Sequence, residues 1–168
     1  MKKLFFLIVF SVFSLTMCAQ TRFGYFSYEA VLKSMPDYTL AKRSIDDLRL
    51  KYDAELKRAE DEFNNKYEEF LDTQRDLVPA ILRKRQAELQ ELMQKNINFK
   101  NESQRLLEQA ETEAYAPVRR KLSEAVSKVG QAKGYAFILN TDGDACPYVN
   151  PEMGEDATEA IKEALLSK

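Results

Sequence analysis

The chain has 168 residues, 25 Lys+Arg against 27 Asp+Glu, and not one histidine. The missing imidazole removes Ser-His and Cys-His catalysis and most zinc sites. A net charge of −2 is a poor basis for bulk nucleic-acid binding. None of the five glycines falls between Gly24 and Gly130, and Pro79 stands alone in the middle of that span. Chain punctuation is therefore concentrated at the two ends.

Taken from the N-terminus, "MKKLFFLIVFSVFSLTMCAQ" has two lysines, an apolar run and small residues around Ala19. That is the layout of a secretory signal peptide, with removal of residues 1–20 expected. Lipidation at Cys18 stands as an alternative. The run is short for a membrane anchor. The expected compartment is the bacterial periplasm. Loss of Lys2 and Lys3 takes Lys+Arg from 25 to 23 and the net charge from −2 to −4. Cys146 then remains alone and cannot form an internal disulfide.

"RFGYFSY" (22–28) is a short aromatic strand signal, and "YEAVLKSM" (28–35) reads as a short helix. From Pro36, with Asp37 as the expected cap, a long amphipathic helix follows. Its stripe runs through Ala41, Ile45, Leu48, Tyr52, Leu56, Ala59, Phe63, Tyr67, Phe70, Gln74 and Leu77 at spacings of three or four. Past Pro79 a second helix carries Leu82, Leu89, Asn96, Ser103 and Ala110 in one heptad series and Arg85, Leu92, Phe99, Leu106 and Glu113 in the other. Polar residues alternate with leucines, so the seam is weaker than a zipper. Two helices of about forty residues, each roughly 60 Å long, suggest an antiparallel hairpin turning near 78–80.

The C-terminal part, 117–168, reads as helix to Gly130 or Gly134, a buried strand "YAFILN" (135–140), a second strand "ACPYVN", and a closing helix over 155–168. Asp142-Gly143 between the two apolar runs predicts a β-hairpin. A calcium loop counted from Asp142 would need a glutamate at its twelfth position, where Met153 stands. Pro147 marks an edge or irregular position. The fold class is thus α+β and mostly helical: a small β-containing base from 21–36 and 117–168, and a helical-hairpin arm over 37–116.

This order of elements resembles the Skp/OmpH-like family of periplasmic chaperones for outer-membrane proteins. The features that carry it are "RFGYFSYEAVLKSMPDYTLAKRSIDDLRLKYDAELK", the glycine-free helical middle and "VSKVGQAKGYAFILNTDGDACPYVNPEMGEDATEAIKEALLSK". The resemblance implies a homotrimer whose base joins three chains and whose arms enclose unfolded outer-membrane proteins. It implies no cofactor, metal, nucleotide or catalytic residue. Phe26, Phe137, Ile138, Leu139, Tyr148 and Val149 fall in the implied trimer base. The acidic balance departs from the basic one of the family's best-known member.

Phe63, Tyr67, Phe70, Met93 and Phe99 add more aromatic and thioether surface to the arm than a minimal seam needs, and are the candidate cargo contacts. Most of them also serve plain hairpin packing. Between Thr73 and Gln86, Arg75, Arg83, Lys84 and Arg85 against Asp76 give a local +3. Such a tip suits weak contact with an anionic membrane surface. The competing functions are a coiled-coil spacer, an adaptor for one fixed partner, and, last, a metal or redox enzyme around Asp142, Asp144 and Cys146. The last lacks a nucleophile–base pair and a phosphate loop.

Overall fold

The computed structural model describes residues 22–167, apart from the side chain of Ala145. The signal-peptide and Cys18 readings lie outside the described residues. The elements in chain order are β1 (Phe23–Phe26), α1 (Tyr28–Ser34), α2 (Pro36–Thr73), α3 (Pro79–Lys133), β2 (Phe137–Asn140), a 3-10 turn (Gly143–Ala145), β3 (Gly154–Asp156) and α4 (Thr158–Leu166). This is the mostly helical α+β architecture expected. Two compact units result, one from the described parts of Met1–Ser34 and Arg120–Lys168, the other from Met35–Arg119. Among the described residues no helix is long and apolar enough to cross a membrane.

In the first unit the three strands form one sheet in the order β2-β1-β3, with both outer strands parallel to β1. The hairpin expected at Asp142-Gly143 does not form. Gly143 (φ +71°) opens the 3-10 turn instead, and residues 146–150 make no strand. Pro147 cannot donate to a ladder. Asn150 turns the chain by accepting Glu152 N–H on its side chain and Met153 and Gly154 N–H on its carbonyl. The third strand is Gly-Glu-Asp, residues expected to lie before and within the closing helix. Pairing with β1 imposes the extended state against a weak local preference.

One face of the sheet is covered. Gly24 and Phe26 are buried. The Tyr135 ring lies over Gly24, and Ile138 packs on Gly130 in the last turns of α3. Val31, Leu122, Ala125, Val129, Ala157 and Ile161 complete this core. On the other face Phe23 stacks on Phe137, centroids 5.4 Å apart, and its ring edge sits over Gly154. Phe137 is 48% exposed, and β2, expected to be buried, is only half so. The α3 terminus is a Schellman cap: Gly134 (φ +65°) donates to Gln131, and Tyr135 N–H donates back to the Gly130 carbonyl.

The second unit is the helical hairpin. α2 starts with Pro36 at its first position after Met35, so Asp37 sits in the first turn and is not the cap. Val78 carries the start of α3, with Ile81 and Leu82 N–H on its carbonyl and Pro79 first in the helix. α3 is 55 residues long and runs on through Pro117. The periodic stripe is the seam: every member from Ala41 to Leu77 is at least half-buried except Tyr67. Tyr38 stacks on Tyr115 at 5.4 Å, Arg49 pairs with Glu111 at 2.6 Å, and Asn96 Nδ2 donates to the Ala59 carbonyl at 3.0 Å. These three ties fix the register of α2 on α3. Ser103, 3% exposed, is the buried polar residue of the seam.

A side chain at Gly24 would meet Tyr135 Cε2 at 2.8 Å. Gly24→Val is expected to cost about 1–3 kcal/mol, seen as a lower urea midpoint. Gly134→Ala meets nothing within 4 Å but holds a positive φ, and should cost only about 1 kcal/mol.

Candidate functional site

Three regions carry the residues singled out by sequence. The first is the stretch around Asp142. Its carboxylate accepts from Ser27 Oγ and from Glu29 N–H, each at 2.6 Å, while Asn140 Oδ1 accepts from Tyr28 N–H at 3.1 Å. Ser27 Oγ in turn accepts from Ala30 N–H. The loop after β2 thus caps α1 from a distance of more than a hundred residues. The Ser27 hydroxyl first, then the Glu29 N–H, hold the Asp142 carboxyl below the usual aspartate range. Cys146 is half-buried, with its thiol 3.8 Å from the Tyr148 carbonyl. Among the described residues no group of three or more Cys, Asp or Glu is placed to hold a metal.

The second region is the sheet and its surroundings. Phe26 and Ile138 belong to the covered side, so they serve the internal core. Phe137 and Leu139 lie with Phe23 and Tyr25 on the open side, in register Phe23↔Phe137 and Tyr25↔Leu139. Tyr148 is 75% exposed in the 141–153 loop, and Val149 is half-buried beside it. At the start of the sheet Glu155 takes Lys133 at 2.7 Å and Arg22 at 3.3 Å. Lys133 first holds the Glu155 carboxyl low. The Tyr135 hydroxyl is buried, close enough to feel Glu155 though out of hydrogen-bond geometry. Burial first and that carboxylate second push its phenol up to about 12.

The third region is the arm. Phe63, Phe70 and Phe99 are half-buried in the seam. Tyr67 and Met93 are 44% and 48% exposed, and Tyr67 stacks flat on Phe63 at 5.9 Å. Leu71, Val78, Ile81 and Ile97 are exposed to a like degree and were missed by a reading that followed the seam alone. Their signal was present: an apolar residue one step off the stripe has no partner in a two-helix hairpin. At the tip, Lys84 and Arg85 share Glu88, at 3.6 and 3.2 Å. No ion pair is formed by Arg75 or Arg83 among the described residues. Among the described residues two of the four tip cations therefore make no ion pair, and Val78 and Ile81, close to them in sequence, are exposed.

A protein family and a solved structure are both similar to this chain. A family model described as outer membrane protein (OmpH-like) matches residues 22–165. A crystal structure of a candidate outer membrane chaperone (OmpH-like) from Caulobacter crescentus CB15 is similar at a TM-score of 0.70 and 20% identity, covering 85% of this chain and 82% of that one. Among curated protein sequences none matches.

Because the Asp142 carboxyl is held low, its contribution to stability is present above the ordinary aspartate pKa and is lost as pH falls through the lower folded value. Asp142→Asn is expected to lower the melting temperature at pH 7 and to differ less from the wild type as pH falls through and below the ordinary aspartate range. Equal melting at pH 7 would show that the cap contributes nothing.

Proposed function

The chain belongs to the OmpH-like family of outer membrane proteins, and on that premise we propose that it is an ATP-independent holdase chaperone of the periplasm, binding unfolded outer-membrane proteins between helical arms. The observation that carries this reading is the arm itself. Two helices cannot enclose the side chains around their seam, so Tyr67, Leu71, Met93 and Ile97 keep nearly half their surface in water. Exposed apolar side chains held on a charged, soluble rod suit weak, many-point contact with unfolded polypeptide. No reacting group is needed for such work.

The working form is a homotrimer joined through the base. Purely parallel sheets are ordinarily covered on both faces. Here one face carries Phe23, Tyr25, Phe137 and Leu139, with no covering layer among the described residues of the same unit. Three copies packing these faces together would supply the missing layer. The tip, with Arg75 and Arg83 beside Val78 and Ile81, suits shallow contact with an anionic membrane surface.

Light scattering of a urea-diluted β-barrel protein tests the function. Stoichiometric trimer should suppress aggregation without nucleotide; unchanged scattering sinks the chaperone reading and favours a spacer or a fixed-partner adaptor. Sedimentation tests the assembly. The native chain should sediment at three times its own mass, and Phe137→Asp with Leu139→Asp should give a helical monomer. Ile138→Asp, on the covered side, should unfold the base as well. A double mutant that stays trimeric places the assembly contacts elsewhere.

A further inference from the structure

The two flanks of the arm differ in chemistry. On α2, Phe63 and Phe70 enter the seam; Glu62, Lys66 and Glu69 lie to one side of them, and Tyr67 and Leu71 to the other, by the 100° turn per residue. On α3, Leu89, Leu92 and Asn96 enter the seam, with Glu88, Glu91 and Lys95 to one side and Met93 and Ile97 to the other. A groove of about 480 Å³ is lined by the charged set from both helices. The charged sides therefore share one flank, and the second sets meet on the opposite flank. The charged flank is internally paired: Lys66 with Glu62 at 2.8 Å, Lys95 with Glu91 at 2.7 Å and Arg85 with Glu88 at 3.2 Å.

The other flank has no such pairs along its middle. Tyr67, Leu71, Met93 and Ile97 are exposed by 44%, 45%, 48% and 46%. Amides stand among them, Asn64, Gln86 and Gln90; Glu60 and Arg83 lie near the two ends, and Glu68 borders the strip on its outer edge. In the register set by Asn96 on Ala59, the strip runs from the level of Ile97 to that of Leu71, ~20 Å along the arm.

We infer that this uncharged flank, and not the charged one, is where the arm holds its client, and that each strip takes one extended apolar segment of about six residues. At ~3.3 Å per residue such a segment matches the strip in length. Thioether, isoleucine and ring surfaces accept varied apolar side chains. The intervening amides can both donate to and accept from the unpaired backbone of an unfolded chain. A second copy of this chain fits less well: four half-exposed side chains amount to a few hundred Å², short of the ~800 Å² per partner a stable dimer buries. An anionic surface would find no cation in the middle of the strip. The inference rests on the holdase reading and assigns the contact within it.

The experiment uses the full chain and a dye-labelled, urea-denatured β-barrel polypeptide diluted into buffer. One variant carries Tyr67→Ser, Leu71→Gln, Met93→Gln and Ile97→Gln; a second carries Glu62→Gln, Lys66→Gln, Glu91→Gln and Lys95→Gln. The first should lose roughly tenfold or more in affinity, as burial of several apolar side chains is forfeited. The second should bind like the native chain, and native binding should persist as salt is raised. Photocrosslinking from position 97 against position 91 asks the same question without removing apolar surface, so the result stands even if the quadruple variant folds poorly. Equal affinity of the first variant, or stronger crosslinking from position 91, overturns the assignment. If the first variant instead dissociates the native oligomer in the ultracentrifuge, the flank is a self-interface and the assignment is lost. A native chain that binds no client overturns the proposed function itself.

Discussion

The base depends on one strand of four residues. Phe23–Phe26 pairs along both edges, with β2 on one side and β3 on the other, and each partner comes from beyond residue 136. Among the described residues neither outer strand pairs with any strand but β1. Gly24 admits the Tyr135 ring on the covered face, and Gly154 admits Phe23 on the open one. A side chain at either glycine would collide with the ring that occupies its place. Asp142 then returns from the end of β2 to cap α1, so strand pairing and helix capping reinforce each other.

The arm obeys a different constraint. A hairpin of two helices has a seam but no interior, so its apolar content beyond the seam must stay in water or find a partner. Its register is set by a few directional ties, Asn96 on Ala59, Arg49 on Glu111 and Tyr38 on Tyr115, while the seam itself is only half-buried. The exposed ion pairs along α2 and α3 are each worth little in stability. They keep one flank soluble and bind its charges to each other. That leaves the uncharged flank as the surface with unsatisfied contact area.

Much of this was legible in the sequence. The glycine-free middle, the stripe from Ala41 to Leu77 and Pro79 between the two periodic runs specify the hairpin, because helical periodicity is a local property written over many turns. β1 and α1 were legible from short local signals, the aromatic run of 22–28 and the helix-forming residues of 28–35. β3 was not: Gly154, Glu155 and Asp156 have no strand preference and become extended only because β1 offers an open edge. Asp142-Gly143 has the composition of a hairpin turn, yet Pro147 and the Asn150 turn prevent a returning antiparallel strand. Asp37 gave way as a cap because Pro36 already begins the helix. Among candidate site residues, Tyr67 and Met93 were visible as surplus to the seam. Leu71 and Ile97 were not, since their exposure depends on which helix faces which.

The Tyr38–Tyr115 stack has a consequence for how the chain folds. The sheet pairs residues separated by more than a hundred positions, a contact that a disordered chain closes slowly and at a large entropic cost. The arm forms from local turns and a nearby reversal, on a timescale far shorter than such a closure. Once it has formed, the stacked tyrosines hold its first and last turns about 5.4 Å apart, ring to ring. The segment that β1 must span to reach β2 is then no longer the whole chain between them but two short leads. A hairpin that forms first, closed by this stack, shortens the loop that the pairing of β1 with β2 has to close.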